Sequence, residues 1–137
     1  MKKLVITLLF FIAITACGQS PQNTGNNTAQ ISSDPNIVNV LYFHGKQRCV
    51  TCIAVGNVAK ATIEKTFTDK TKVRFIEIDT SVKANVKLVE KYKVTWNALI
   101  IAKGENFVEI TQQAFATAVN NPQSLENLIK VEVNKHL

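Results

Sequence analysis

The chain is poor in several things at once. It has 137 residues but three cysteines, two histidines, one tryptophan and three prolines. Structural zinc needs four ligands. His44 stands beside the Cys49/Cys52 pair but His136 is at the far end of the chain, so no metal is expected, and zinc on the two cysteines stays as the alternative reading. Charge of one sign is also scarce. Sixteen basic against ten acidic residues leave a formal +6, of which Lys2 and Lys3 carry two. That balance forms no basic stripe and excludes nucleic acid as an expected partner. The length leaves no room for a dinucleotide-binding fold with its own substrate domain, so neither flavin nor nicotinamide is expected. A long hydrophobic run is missing too. Leu4–Ala16 is apolar apart from Thr7 and Thr15, but its 13 residues reach only about 20 Å as a helix, against about 30 Å of hydrocarbon.

That short run, preceded by Lys2 and Lys3, reads as a signal peptide over residues 1–16. Its end, Ile14-Thr15-Ala16-Cys17, resembles the lipobox of bacterial lipoproteins. The resemblance implies cleavage before Cys17 and a diacylglycerol on its sulfur, hence a membrane partner through a lipid anchor and a domain outside the cytoplasm. Gly18-Gln19 lacks an Asp after the cysteine, which favours the outer membrane, facing the periplasm, where the cell has one. Residues 17–36 form the lipidated cysteine and a linker. Gly18–Asn36 has only Ala29 and Ile31 as apolar residues and is expected to be disordered, because it buries too little to offset its ordering entropy.

Residues 37–137 form the domain. Ile37–Phe43 is a nearly continuous apolar run, as in a strand buried on both faces. Cys49–Phe67 reads as a helix with Val55, Val58, Ala59, Thr62 and Ile63 on one face. Val73–Ile78 reads as a second strand. A helix over Ser81–Tyr92 groups Val82, Val86 and Val89. Ala98–Ala102 and Phe107–Thr111 read as strands joined by a Lys103–Asn106 hairpin turn. Gln113–Val119 gives no clear period. Asn121-Pro122 predicts an N-cap with Pro at N1 of a last helix running to about Lys135. The order is β-α-β-α-β-β-α, an α/β chain with a mixed central sheet and helices on both faces.

Cys49-Val50-Thr51-Cys52 opens the first of these helices. A thiol there meets the positive end of the helix dipole, and Lys46 and Arg48 add charge nearby, all favouring thiolate. The spacing lets Cys49 attack and Cys52 resolve a mixed disulfide. The same residues also allow a purely structural disulfide. His44 reads as a proton donor to the cysteines or a solvated loop residue. Arg48 reads as an electrostatic or substrate-facing group, or a plain surface charge.

At this point the sequence resembles the thioredoxin superfamily over essentially all of residues 37–137. More closely, it is similar to small Bacteroidota-type lipoproteins known as nitrophenyl compound nitroreductase subunits. That likeness rests on Tyr42-Phe43-His44-Gly45, Arg48-Cys49-Val50-Thr51-Cys52 and Lys91-Tyr92-Lys93-Val94-Thr95-Trp96. With no flavin site expected, it does not imply nitro reduction by this chain alone. Three positions depart from thioredoxins. Arg48 stands where they carry Trp before the first cysteine, and Phe43 where they carry a buried Asp. Trp96-Asn97-Ala98 replaces a loop with cis-Pro. The resemblance implies a thioredoxin-like fold and a thiol–disulfide oxidoreductase with a protein or low-molecular-weight thiol/disulfide partner. Cys49 and Cys52 would be catalytic, and Trp96 or Asn97 would lie against them in the place of cis-Pro. The alternative is a non-catalytic binding or electron-relay subunit of a redox complex.

Overall fold

The computed structural model describes Ala29, Ile31 and residues 34–137. Four strands make one mixed sheet: β1 (Val38–His44), β2 (Val73–Asp79), β3 (Ala98–Lys103) and β4 (Asn106–Glu109), in the order β2-β1-β3-β4. β1 runs parallel to β2, with Val38 opposite Val73 and His44 opposite Asp79. It runs antiparallel to β3, with Phe43 opposite Ala98, and β3 turns antiparallel into β4. The parallel pair needs a crossover, and α1 (Val50–Thr66) supplies it. The antiparallel pair needs only a tight turn, where Gly104 sits at φ 59°, a conformation that favours glycine.

The alternation of β1 explains its continuous apolar run. Val38, Val40 and Tyr42 face one layer, and Leu41 and Phe43 the other. The first layer packs under Val55, Ala59 and Ile63 of α1, Ala114 of α3 (Thr111–Thr117), and Leu125, Ile129 and Val133 of α4 (Pro122–His136). The second is covered by Tyr92 and by Leu88 and Val89 of the short α2 (Val86–Lys91). Helices therefore lie on both faces of a mixed sheet, the thioredoxin-like α/β architecture expected from the sequence.

Four details differ from the sequence expectation. The helix expected over Ser81–Tyr92 is broken: Asp79 accepts bonds from Ser81 N–H and Oγ, a 3₁₀ turn covers Lys83–Asn85, and α2 begins at Val86. Asn85, 1% exposed, takes the buried place, while Val86 is 45% exposed. The fourth strand stops at Glu109 because Thr111 turns its hydroxyl onto Leu99 N–H and Glu109 Oε1, which opens α3. That helix covers part of the segment without a clear period. Finally, the tract expected to be disordered includes Ala29 and Ile31, which pack on the second layer. Ala29 N–H donates to Asn85 Oδ1 at 3.1 Å. The signal segment and most of that tract lie outside the described residues.

Candidate functional site

β1 delivers the chain to the end of the sheet, and Gly45–Arg48 turns it into α1. Cys49 is the residue before the helix, with extended backbone (φ −78°, ψ 166°). Its sulfur accepts from Cys52 N–H at 3.2 Å and so acts as the side-chain cap that Ser or Asp provides elsewhere. Cys52 is one turn further in. The two are joined by a disulfide, with their Cα atoms 5.0 Å apart. The pair is asymmetric: Cys49 is exposed, whereas Cys52 is 5% exposed. One sulfur is thus accessible and the other sheltered, on a helix end that favours negative charge.

Beneath the helix the neighbours of Cys52 are polar. Tyr42, fully buried on β1, donates its hydroxyl to the Cys52 carbonyl at 2.6 Å. Burial pushes the Tyr42 phenol above its ordinary range, a shift the neighbouring Arg48 opposes. Arg48 reaches the same carbonyl with Nη2 at 3.4 Å and places its guanidinium carbon 5.5 Å from the centre of the Tyr42 ring. Its Nη1 bonds Glu77 Oε1 on β2 at 2.7 Å. Gly56 makes room for this: a Cβ there would lie 2.8 Å from Arg48 Nη2 and 2.9 Å from the Tyr42 ring.

The expected site residues separate into groups. Cys49, Cys52 and Asn97 come together, with Asn97 Nδ2 3.8 Å from Cys52 Sγ. Asn97, on the loop before β3, therefore occupies the facing position, while Trp96 beside it is 79% exposed. Arg48 is neither a free surface charge nor turned to the sulfurs: it folds back under α1. His44 is the last residue of β1 rather than a loop residue. Its Nδ1 lies 2.9 Å from Gly45 O and its Nε2 3.3 Å from Glu77 Oε1, so its ring nitrogens face these oxygens and not the cysteines. Lys46 is exposed on the turn, and its charge reaches Asp79. Hydrogen bonds from Ser81 are the main cause holding the Asp79 carboxyl below its ordinary range. Cys17 lies outside the described residues. Among the described residues, no group of three His, Cys, Asp or Glu side chains is placed to hold a metal. Tyr42, Gly56 and Glu77 were not found from sequence. A tyrosine at a strand position facing a helix was the available signal, because a buried hydroxyl needs a partner.

No family model matches the chain, and no curated protein does. Among solved structures, one described as "Structure of a malarial protein" is similar at 20% identity and a TM-score of 0.44, over 56% of this chain and 81% of that one.

Proposed function

We propose that the domain is a thiol–disulfide oxidoreductase working outside the cytoplasm from a lipid anchor on Cys17. The observation that carries the reading is the unequal exposure of the two cysteines at the start of α1. In the reduced protein the Cys49 thiolate attacks one sulfur of a partner disulfide, forms a mixed disulfide and releases the partner's other sulfur as thiolate. Deprotonated Cys52 then attacks Cys49 Sγ, which closes the Cys49–Cys52 disulfide and frees the partner's second thiol. An external thiol reductant must return two electrons before the next cycle. The same exchange run backwards oxidises a partner dithiol.

Val50, Ile53 and Trp96 are exposed at 77%, 45% and 79% on the two segments that flank the pair. Such apolar side chains suit docking of a protein partner. They suit equally the second reading, a binding or electron-relay subunit that docks without turnover. Brief iodoacetamide labelling of reduced protein at pH 7, read by mass spectrometry, tests the site. Cys49 is expected to alkylate faster than Cys52. Equal labelling, or none without denaturant, would leave only a structural disulfide. Reduction of insulin or glutathione disulfide then separates turnover from docking. The anchor has its own test: Cys17→Ala should be soluble or remain unprocessed, and continued partitioning into detergent as a lipoprotein would remove this part of the reading.

A further inference from the structure

We propose that Glu77 tunes the redox equilibrium of the Cys49–Cys52 pair by holding the Arg48 guanidinium beneath α1, away from the Cys49 sulfur. Arg48 directly precedes Cys49, so their Cα atoms are about 3.8 Å apart and a long flexible side chain has the sulfur within reach. It is drawn the other way. Nη1 meets Glu77 Oε1 at 2.7 Å, Nη2 faces the Cys52 carbonyl at 3.4 Å, and the guanidinium lies over Tyr42. The position has a cost, because Arg48 Nε is buried with no hydrogen-bond partner. A buried donor left unmade is unfavourable, so an opposing attraction must retain the side chain. The charge-assisted bond to Glu77 is the strongest one on hand.

The consequence concerns charge. Reducing the disulfide takes two electrons and one proton, which goes to Cys52 and leaves Cys49 as thiolate. That new negative charge is stabilised by the α1 N-terminus and the Cys52 N–H. It is deprived of Arg48, whose charge Glu77 both neutralises and displaces. With Glu77 uncharged, the guanidinium is free to turn toward the thiolate, and the reduced form gains. Glu77 is thus a positioning residue that acts through Arg48 and keeps the pair more reducing than its flanking charge would make it. His44 Nε2 lies 3.3 Å from the same carboxylate oxygen, so the Arg48→Gln background is needed to separate the two neighbours.

The experiment is the equilibrium of the disulfide with a glutathione redox buffer, in the full chain and in Glu77→Gln, Arg48→Gln and the double variant. Glu77 has a side chain 39% exposed, and Gln keeps its shape, so folding is retained and is checked by circular dichroism. Glu77→Gln should make the disulfide about tenfold easier to reduce, which is about 30 mV for a two-electron couple. In the Arg48→Gln background the same change should alter the equilibrium less than about twofold. Titration of the Cys49 thiolate by its absorbance near 240 nm should show greater acidity in Glu77→Gln alone. No effect of Glu77→Gln, or an equal effect in both backgrounds, overturns the proposal, since Glu77 would then act through its own charge or not at all. The proposal rests on the pair being redox-active, but its measurement does not need a physiological partner. Failure of selective Cys49 labelling would sink the oxidoreductase reading, whereas an Arg48-independent equilibrium would sink only the role of Glu77.

Discussion

Gly56 and Tyr42 decide how close the sheet comes to α1. Inside a helix, Gly is worse than Ala by about 1 kcal/mol, so its place in α1 calls for a reason. The reason is the Tyr42 ring and the Arg48 guanidinium, both within 3 Å of where a Cβ would sit. In Gly56→Ala the guanidinium tip can move, but the Tyr42 ring is fully buried and tied to the Cys52 carbonyl. Overpacking of about 1–3 kcal/mol should exceed the propensity gain, for a net loss of up to about 2 kcal/mol in urea unfolding. Tyr42→Phe keeps the ring and removes the donor, and should cost about 1 kcal/mol at pH 7. Burial raises the pKa of both the Tyr42 and the Tyr92 phenol in the folded state. The unfolded chain therefore loses these protons first, from about pH 10, and stability should fall as pH rises through and above that value. A Tyr42→Phe chain should show a shallower fall over the same alkaline range, with Tyr92 supplying the remainder. An equally steep fall would mean that Tyr42 does not contribute to it.

At the scale of elements, legibility follows how each segment is buried. β1 and β3 could be read because both of their faces are covered, which makes nearly every position apolar, with Asn39 the buried exception in β1. α1 showed its stripe because Val55, Ala59 and Ile63 meet one layer. α4 announced its start: Asn121 Oδ1 accepts from Ser124 N–H at 3.2 Å, and Pro122 follows at N1. Asn121→Ala should cost about 1 kcal/mol by thermal or urea unfolding, since the cap orders a helix that carries Leu125, Ile129 and Val133 into the core. α3 was not legible because its fully buried positions, Ala114 and the cap Ala118, are too small to set a hydrophobic period, and Phe115 beside them is only partly buried. α2 was misread for the opposite reason. The valines suggested an apolar face, but the buried position went to Asn85, whose side chain is satisfied by backbone on both sides. The candidate site divides in the same way. Cys49, Cys52 and Asn97 lie on segments that sequence spacing and fold resemblance bring together. Glu77 enters through the β1–β2 register, opposite Tyr42, and nothing in its own neighbourhood of sequence marks it.

The whole molecule covers its two sheet faces unequally. Among the described residues, three helices cover the first face, whereas the second has the six-residue α2, Tyr92, Ala29 and Ile31. Ala29 and Ile31 complete that thinner layer, and Asn85 joins it to the sheet. Asn85 Oδ1 accepts from Ala29 N–H, and its Nδ2 donates to the Asp79 carbonyl at 2.9 Å. Asp79 ends β2, and the next residue, Thr80, donates its N–H to the His44 carbonyl at 2.8 Å. The packed N-terminal residues are therefore connected through backbone to the end of the sheet from which α1 departs. A purely solvated tract would tolerate any polar substitution. Ile31→Ser should instead lower stability by about 1 kcal/mol, a fraction of the value for a fully buried side chain, because Ile31 is only half-buried. Asn85→Ala should cost more, about 1–3 kcal/mol, since it strands Ala29 N–H and the Asp79 carbonyl together. The two losses should not add in the double variant, because both remove the same seating of this segment. Additive losses, or an Ile31→Ser chain as stable as its parent, would take Ala29 and Ile31 out of the folded unit and set its start at β1.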